Sequence, residues 1–354
     1  MNLFKCLEEL SNSNGVSGNE DETIEIAEKY FKKHVHETQI DKTGNLLGFK
    51  KGQGRSSQRP RLLFAAHADE IGLMITRIEE TGFLRFTTIG GFDLRTLWGQ
   101  EVTVHGKDKL WGVIGPKPPH LISPEEKKKE IKLEELYIDM GLSLEEVNKL
   151  VKVGDFVSLH REFTSLADRD HVSGKALDDR AGVAGLLLCA QELSKFKHTA
   201  DVYFVCTVQE EVGARGALTS TYKVEPDAGV AVDVCHGNMP SAKTSETFKL
   251  GKGPVLGYGP NIHPLIYQKL KEAAESYHLP YMVEPHPGPT PTDARSIQIT
   301  REGVASGLAS IPLRYMHTSV ELASLKDIEM LARLLALFAA SFDYQAREEL
   351  QCYY

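Results

Sequence analysis

Residues 61–69, RLLFAAHAD, read as a buried strand that runs straight into a histidine and an aspartate, and this reading organises the rest of the chain. Three more apolar runs finish in the same way. DVYFVCTVQEE (201–211) leads to Glu210 and Glu211, AGVAVDV (228–234) delivers Asp233, and SGLASIPLRYMH (306–317) reaches His317. Runs without polar alternation suit strands covered on both faces, as in the parallel part of an α/β sheet. Helical periodicity falls between and around them, over residues 20–33, Ala181 to Phe196, Pro264 to His278 and Leu325 to Phe342. LPYMVEP (279–285) reads as a further strand, and a short helix is expected near Asp293.

The alternation breaks off in the middle. Residues 72–115 read as short strands punctuated by glycine: GLMITRIEE, FLRFTTIGG, EVTVHG and LWGVIG. A loop with Pro116, Pro118 and Pro119 follows, then a charged stretch, a short helix opened by Ser143 with Glu146 in capping-box position, and the strand DFVSLHREF (155–163). The expected architecture is therefore a discontinuous α/β domain of residues 1–71 and 165–354, with a β-rich module, residues 72–164, inserted into it. KGQGRSSQRP (51–60) is a polar loop, and no internal repeat is found.

Composition narrows the classes of function. The 354 residues, 41% hydrophobic and 25% charged, have ordinary globular composition and can build a core without disulfides. A net charge of -8 leaves no basic face for nucleic acid, and the one lysine run, Lys127 to Lys129, lies among glutamates. Apolar stretches such as Leu334 to Ala340 fall short of the ~20 residues that span a bilayer, so no membrane segment is expected. The start, MNLFKCLEELSN, reads as an amphipathic helix without the features of a signal peptide, and a cytoplasmic protein is expected. Cys6, Cys189, Cys206, Cys235 and Cys352 are odd in number and widely spaced, which fits free thiols in a reducing compartment.

The chemistry lies where the strands end. In an open α/β sheet the carboxyl edge is the ligand-binding edge, and His67, Asp69, Glu210, Glu211, Asp233 and His317 all fall there. Asp178 and Asp179 lie in the turn that opens a helix, whose free amides steady a carboxylate. Each residue also has a plain reading: a strand-end histidine is commonly a hydrogen-bonded structural residue, an aspartate pair caps a helix, and adjacent glutamates are solvated. Four such coincidences at one edge favour a site. Histidines and carboxylates without a thiol suit Zn²⁺, Co²⁺ or Mn²⁺. They offer more donors than one catalytic ion takes, which points to two ions about 3.5 Å apart with a shared carboxylate. The adjacency of Glu210 and Glu211 lets one bind metal while the other handles protons.

In the stretches AAHADEIGLMI, GVIGPKPPH, SGKALDDRAGV, TVQEEVGARGA, VDV and IPLRYMHTSVE the chain resembles the M42 family of dinuclear metallo-aminopeptidases, over almost its full length. The resemblance implies a mixed-sheet α/β zinc-exopeptidase fold, phosphorylase/hydrolase-like, with a small inserted β-barrel-like domain serving oligomerisation and substrate access. It implies two divalent ions per subunit, Zn²⁺ or Co²⁺ or else Mn²⁺. His67, Asp178 and Asp233 would hold one ion, and Asp178, Glu211 and His317 the other. Glu210 corresponds to the general base and Asp69 to the carboxylate that orients the His67 ring. The implied activity removes N-terminal residues from short peptides inside a homo-oligomer, a dodecamer built from dimers. Departing from the family pattern, PHPGPTPTDARSIQ (285–298) carries prolines where a glycine-rich run is usual before Asp293. His120 matches a stretch in the insert without assigned chemistry, and a structural or subunit-contact role is expected. The rivals are a glycoside hydrolase, a non-catalytic assembly module, and a carboxypeptidase or deacylase of the same clan.

Overall fold

The computed structural model describes residues 1–54, 59–121, 123 and 132–350. The lysine run at 127–129, Cys352 and part of the 51–60 loop lie outside the described residues. The chain opens with α1 (Leu3–Asn12), α2 (Asp21–Phe31), β1 (Glu37–Ile40), β2 (Leu46–Lys50) and β3 (Arg61–His67). The middle comprises β4 (Gly72–Ile78), β5 (Leu84–Ile89), α3 (Leu94–Leu97), β6 (Glu101–His105), β7 (Lys109–Pro116), β8 (Leu136–Asp139), α4 (Leu144–Leu150) and β9 (Phe156–Leu159). Next come β10 (Thr164–Ser165), β11 (His171–Gly174), α5 (Leu177–Leu193), β12 (Asp201–Thr207), α6 (Arg215–Val224), β13 (Ala228–His236) and β14 (Val255–Tyr258). The chain ends with α7 (Pro264–Ser276), β15 (Met282–Pro285), α8 (Asp293–Gln298), β16 (Ala305–Leu313), β17 (Glu321–Ser324), α9 (Leu325–Ser341) and α10 (Tyr344–Glu349).

The main sheet runs in the order β1-β2-β12-β3-β13-β16-β14-β15. Its four central strands, β12, β3, β13 and β16, are mutually parallel, so their carboxyl ends share one edge. Their side chains alternate between two cores. Leu62, Phe64 and Ala66 pack with α1, α5 and α9, whereas Leu63 and Ala65 pack with Ala217 of α6 and Ala294 and Ile297 of α8. Burial on both faces is why these strands read as unbroken apolar runs. The mixed α/β fold expected from sequence is the fold found.

Strands β4 to β9 close into a barrel, ordered β4-β5-β8-β7-β6-β9, around its own core of Leu73, Ile75, Val102, Val104, Ile138 and Val157. Ser143 caps α4, and the Glu146 carboxylate returns to the Ser143 N–H at 2.9 Å. Strand β8 was not expected from sequence: LYID is too short for its alternation to stand out beside a charged stretch. The small sheet β10-β11-β17 and strand β14 were also unforeseen, for the same reason of length. Cys6, Cys189, Cys206 and Cys235 are buried free thiols, and burial, above all, pushes Cys6 up to about 12.

A buried polar knot fixes the site to the amino-terminal helices. Lys175 Nζ reaches both Glu70 oxygens (2.7 and 2.9 Å) and the Ser13 carbonyl, while the Arg180 guanidinium donates to the carbonyls of Ala68 and Leu10 at 2.6 Å each. Glu70 follows β3 and Lys175 precedes α5, so the knot joins the two segments that carry His67 and Asp178. Removing one partner of a buried pair leaves the other uncompensated, at a cost of about 3–5 kcal/mol. Lys175→Met should therefore lower the unfolding free energy, read from denaturant melts, by an amount in that range. A loss below about 1 kcal/mol would show that Arg180 alone satisfies Glu70.

Candidate metal centre

His67 is the last residue of β3 and is almost wholly buried. Its Nε2 lies 3.1 Å from Asp178 Oδ1, and its Nδ1 lies 3.1 Å from the Asp69 carbonyl and 3.5 Å from the Asp69 carboxylate. These acceptors would hold a proton on Nδ1, which leaves Nε2, the nitrogen beside Asp178, as the one that a bound ion would take. Asp69 does more than face this ring. Its carboxylate accepts the backbone N–H groups of Glu210 (2.9 Å) and Glu211 (3.1 Å) and the Ser17 hydroxyl, so it also fixes the turn that carries both glutamates. That turn lies beyond β12, where Gln209 has φ 57°, and so the strand rule of opposite faces does not apply to the pair.

The two aspartates in the first turn of α5 divide their work by backbone geometry. Their connecting peptide is cis, and both have non-helical dihedrals. Asp179 Oδ1 accepts the Gly182 N–H at 3.0 Å, the position of a helix N-cap. Gly182 is required there, because a β-carbon at that position would collide with the Asp179 carboxylate. Asp178 instead faces the histidines: its second oxygen, Oδ2, lies 3.3 Å from His317 Nε2. Spacing alone left the choice between them open; the cap resolves which carboxylate points into the cluster.

His317 also lies 3.3 Å from Glu211 Oε1. Its Nδ1 lies 2.9 Å from the Gly91 carbonyl, which belongs to the barrel segment after β5. Asp233, on β13, completes the set. The donor atoms of His67, Asp178 and Asp233 lie within 4.8 Å of one another, and so do those of Asp178, Glu211 and His317. Asp178 belongs to both groups. All five residues expected to bind metal are thus brought together, and Glu210 borders the same cavity. His120 is exposed, in a short 3-10 turn after β7, and does not line this cavity.

The charge balance fits divalent cations. Burial first, then Asp233, Asp293 and Glu211, pushes the Glu210 carboxyl up to about 10; burial and the neighbouring aspartates do the same to Asp233, well above the usual range. Asp178 first and Glu211 next push the His317 imidazole up to about 11. Such mutual repulsion among half-buried and buried carboxylates marks a surplus of negative charge that two histidines do not neutralise. Two imidazole and three carboxylate side chains without a thiol are donors of the kind that Zn²⁺, Co²⁺ or Mn²⁺ accept.

The cluster opens into a cavity of about 1350 Å³, large enough for several peptide residues. The Pro-rich segment before Asp293 contributes Thr290, Pro291 and Thr292 to its wall. Asp293 itself is buried against the Thr207 hydroxyl. Sequence reasoning missed Gly91, which reaches the site from the barrel, and Glu321, which accepts the N–H groups of Asp178 and His317. No pattern announced Gly91; Glu321 at least lay inside the IPLRYMHTSVE stretch.

Comparison with known proteins places the chain in a family. A sequence profile described as M42 glutamyl aminopeptidase matches residues 44–334. The chain belongs to the M42 family. A lysyl aminopeptidase of Pyrococcus furiosus is 37% identical over 336 residues, 94% of this chain and 95% of that protein. Among solved M42-like structures, an aminopeptidase from Desulfurococcus kamchatkensis superposes with a TM-score of 0.92 at 38% identity, covering 99% of this chain and 98% of that one. The Pyrococcus horikoshii TET1 peptidase, described as assembling into a tetrahedron or a large octahedral shell, matches at 0.84 and 34% identity, covering 96% and 99%. As an M42 protein the chain is an aminopeptidase, a hydrolase of peptide bonds, and M42 enzymes depend on divalent metal. Among the described residues no helix is long and apolar enough to cross a membrane.

Proposed function

We propose that the protein is a dinuclear metal-dependent aminopeptidase that trims N-terminal residues from short peptides. The observation that supports this most is the pair of three-donor groups sharing Asp178, with Glu210 beside them. His67, Asp178 and Asp233 would hold one ion; Asp178, Glu211 and His317 would hold the other. Bound divalent ions supply Lewis acidity for the scissile carbonyl and a lowered pKa for the attacking water. Glu210 takes the water's proton and passes it to the leaving amine. Among the described residues its carboxylate accepts no hydrogen bond, so the group is free for that transfer, while Asp69 holds its backbone still. The free α-amine of a peptide would meet one of the ions, and the exopeptidase preference would follow from that contact.

A panel of aminoacyl chromogenic substrates, with and without N-blocking groups, tests this reading in Zn²⁺, Co²⁺ and Mn²⁺. Free amines should be cleaved and blocked ones refused; equal cleavage of both would remove the aminopeptidase assignment. Glycoside hydrolysis needs two facing carboxylates and leaves the histidines idle. Cleavage of a sugar polymer that survives chelation would reinstate that alternative.

The protein is further proposed to act in the cytoplasm as a homo-oligomer, a dodecamer assembled from dimers, with the module of residues 72–164 serving subunit contact and substrate access. Trp98 and Trp111 lie 45% and 58% exposed in the barrel region, apolar surface that a partner copy would cover. Light scattering should give a closed multimer, and long folded proteins should be poor substrates. A monomer that trims a folded protein as fast as a short peptide would end this part of the proposal.

A further inference from the structure

The loop that carries His317 is closed at its base by two backbone bonds between Arg314 and Leu322, at 2.9 and 3.0 Å. At its tip His317 has φ 61°, in the left-handed region that residues with a β-carbon seldom occupy. Such a conformation persists only when its surroundings hold it. Glu321, the first residue of β17, supplies the hold. Its Oε1 accepts the His317 N–H at 2.8 Å and its Oε2 accepts the Asp178 N–H at 3.0 Å.

Glu321 is 2% exposed, and among the described residues no lysine or arginine pairs with it. An unpaired buried carboxylate is costly, and two backbone donors are its compensation. Strand pairing explains why it reaches both. Gly174 of β11 lies opposite Glu321 of β17, so the segment entering the Asp178 turn runs beside the segment leaving the His317 loop. One carboxylate then spans the two segments. Its donors belong to Asp178 and His317, two of the three residues in one metal-binding group. The third, Glu211, is held separately through Asp69.

We propose that Glu321 is a positioning residue for the Asp178–Glu211–His317 half of the metal pair, acting through the backbone N–H groups of two of its three ligands. The inference rests on the two-ion reading above. Glu321 touches neither substrate nor ion. The other half keeps His67 and Asp233, neither of which bonds to Glu321, so a change at Glu321 acts unevenly on the two ions. In Glu321→Gln one carboxylate oxygen becomes an NH₂ group that faces a backbone N–H and cannot accept from it.

The test is a titration of metal-free protein with Co²⁺ against a competing chelator, followed by visible absorption. Wild type should show two binding steps, and His317→Ala identifies which step belongs to the His317 half. In Glu321→Gln that step should weaken about 10- to 100-fold while the other stays within about 3-fold. Glu321→Asp, which keeps the charge and shortens the reach, should lose affinity at the same step and by less. Equal weakening of both steps, or no change in either, overturns the proposal. Loss of fold in both variants also counts against it, since a residue acting on ligand geometry is dispensable to the metal-free fold. A wild type with one step or none instead overturns the two-ion reading.

Discussion

Glu210→Gln should lower kcat by about 10²- to 10⁴-fold while leaving two metals per chain, because the amide keeps the shape of the side chain and loses its basicity. The expectation follows from how the Glu210–Glu211 turn is built. Both backbone N–H groups are held by Asp69, at 2.9 and 3.1 Å, so exchanging the side chain of Glu210 does not release the turn. Glu211 Oε1 stays beside His317 Nε2. KM should move little. Elemental analysis beside steady-state kinetics decides the matter: if Glu210→Gln sheds metal, or if Glu211→Gln keeps both ions and loses turnover, the roles are exchanged.

Asp178→Asn is expected to be more damaging. The two Asp178 oxygens lie 3.1 Å from His67 Nε2 and 3.3 Å from His317 Nε2, one toward each group of donors. An asparagine offers one oxygen and an NH₂ group that repels a cation, so it cannot complete both groups. Metal content should fall below two per chain. Losing the several kcal/mol that metal ions contribute to the transition state corresponds to about 10³-fold or more in kcat/KM. Asp179→Asn is the control: an asparagine is a good N-cap, so it should retain both ions. If Asp178→Asn kept two ions and Asp179→Asn lost one, the two adjacent carboxylates would have to trade places.

The site was legible in sequence where its residues hang from regular elements. RLLFAAH and AGVAVDV are buried on both faces, so their apolar runs marked where the chain would emerge; His67 ends β3, and Asp233 lies in the last part of β13. The sheet's shared carboxyl edge then brought the separate segments together. Where backbone geometry is irregular, the sequence was silent. Nothing in DDR tells a cap from a ligand, since both are aspartates at a helix start; the Gly182 N–H makes the distinction. LYID, VLGY and HVSG form strands of four residues, too short for a period to show, and one of them brings Glu321 opposite Gly174. Contacts between distant segments, such as Gly91 with His317, leave no trace in local pattern at all.

That last contact gives the barrel a stake in catalysis. A carbonyl oxygen only accepts, so once an ion takes Nε2 the Gly91 carbonyl would keep the His317 proton on Nδ1 and fix which lone pair the ring presents. The tautomer of a residue in the α/β part is thus written by a loop of the inserted part. Subunit contacts that shift the barrel by an ångström would be felt as a change in the basicity and aim of one imidazole. A chain relieved of residues 72–159 would keep every proposed ligand and still present a ring free to turn, and solution NMR of the His317 ring nitrogens, in the full chain and the shortened one, would record the difference.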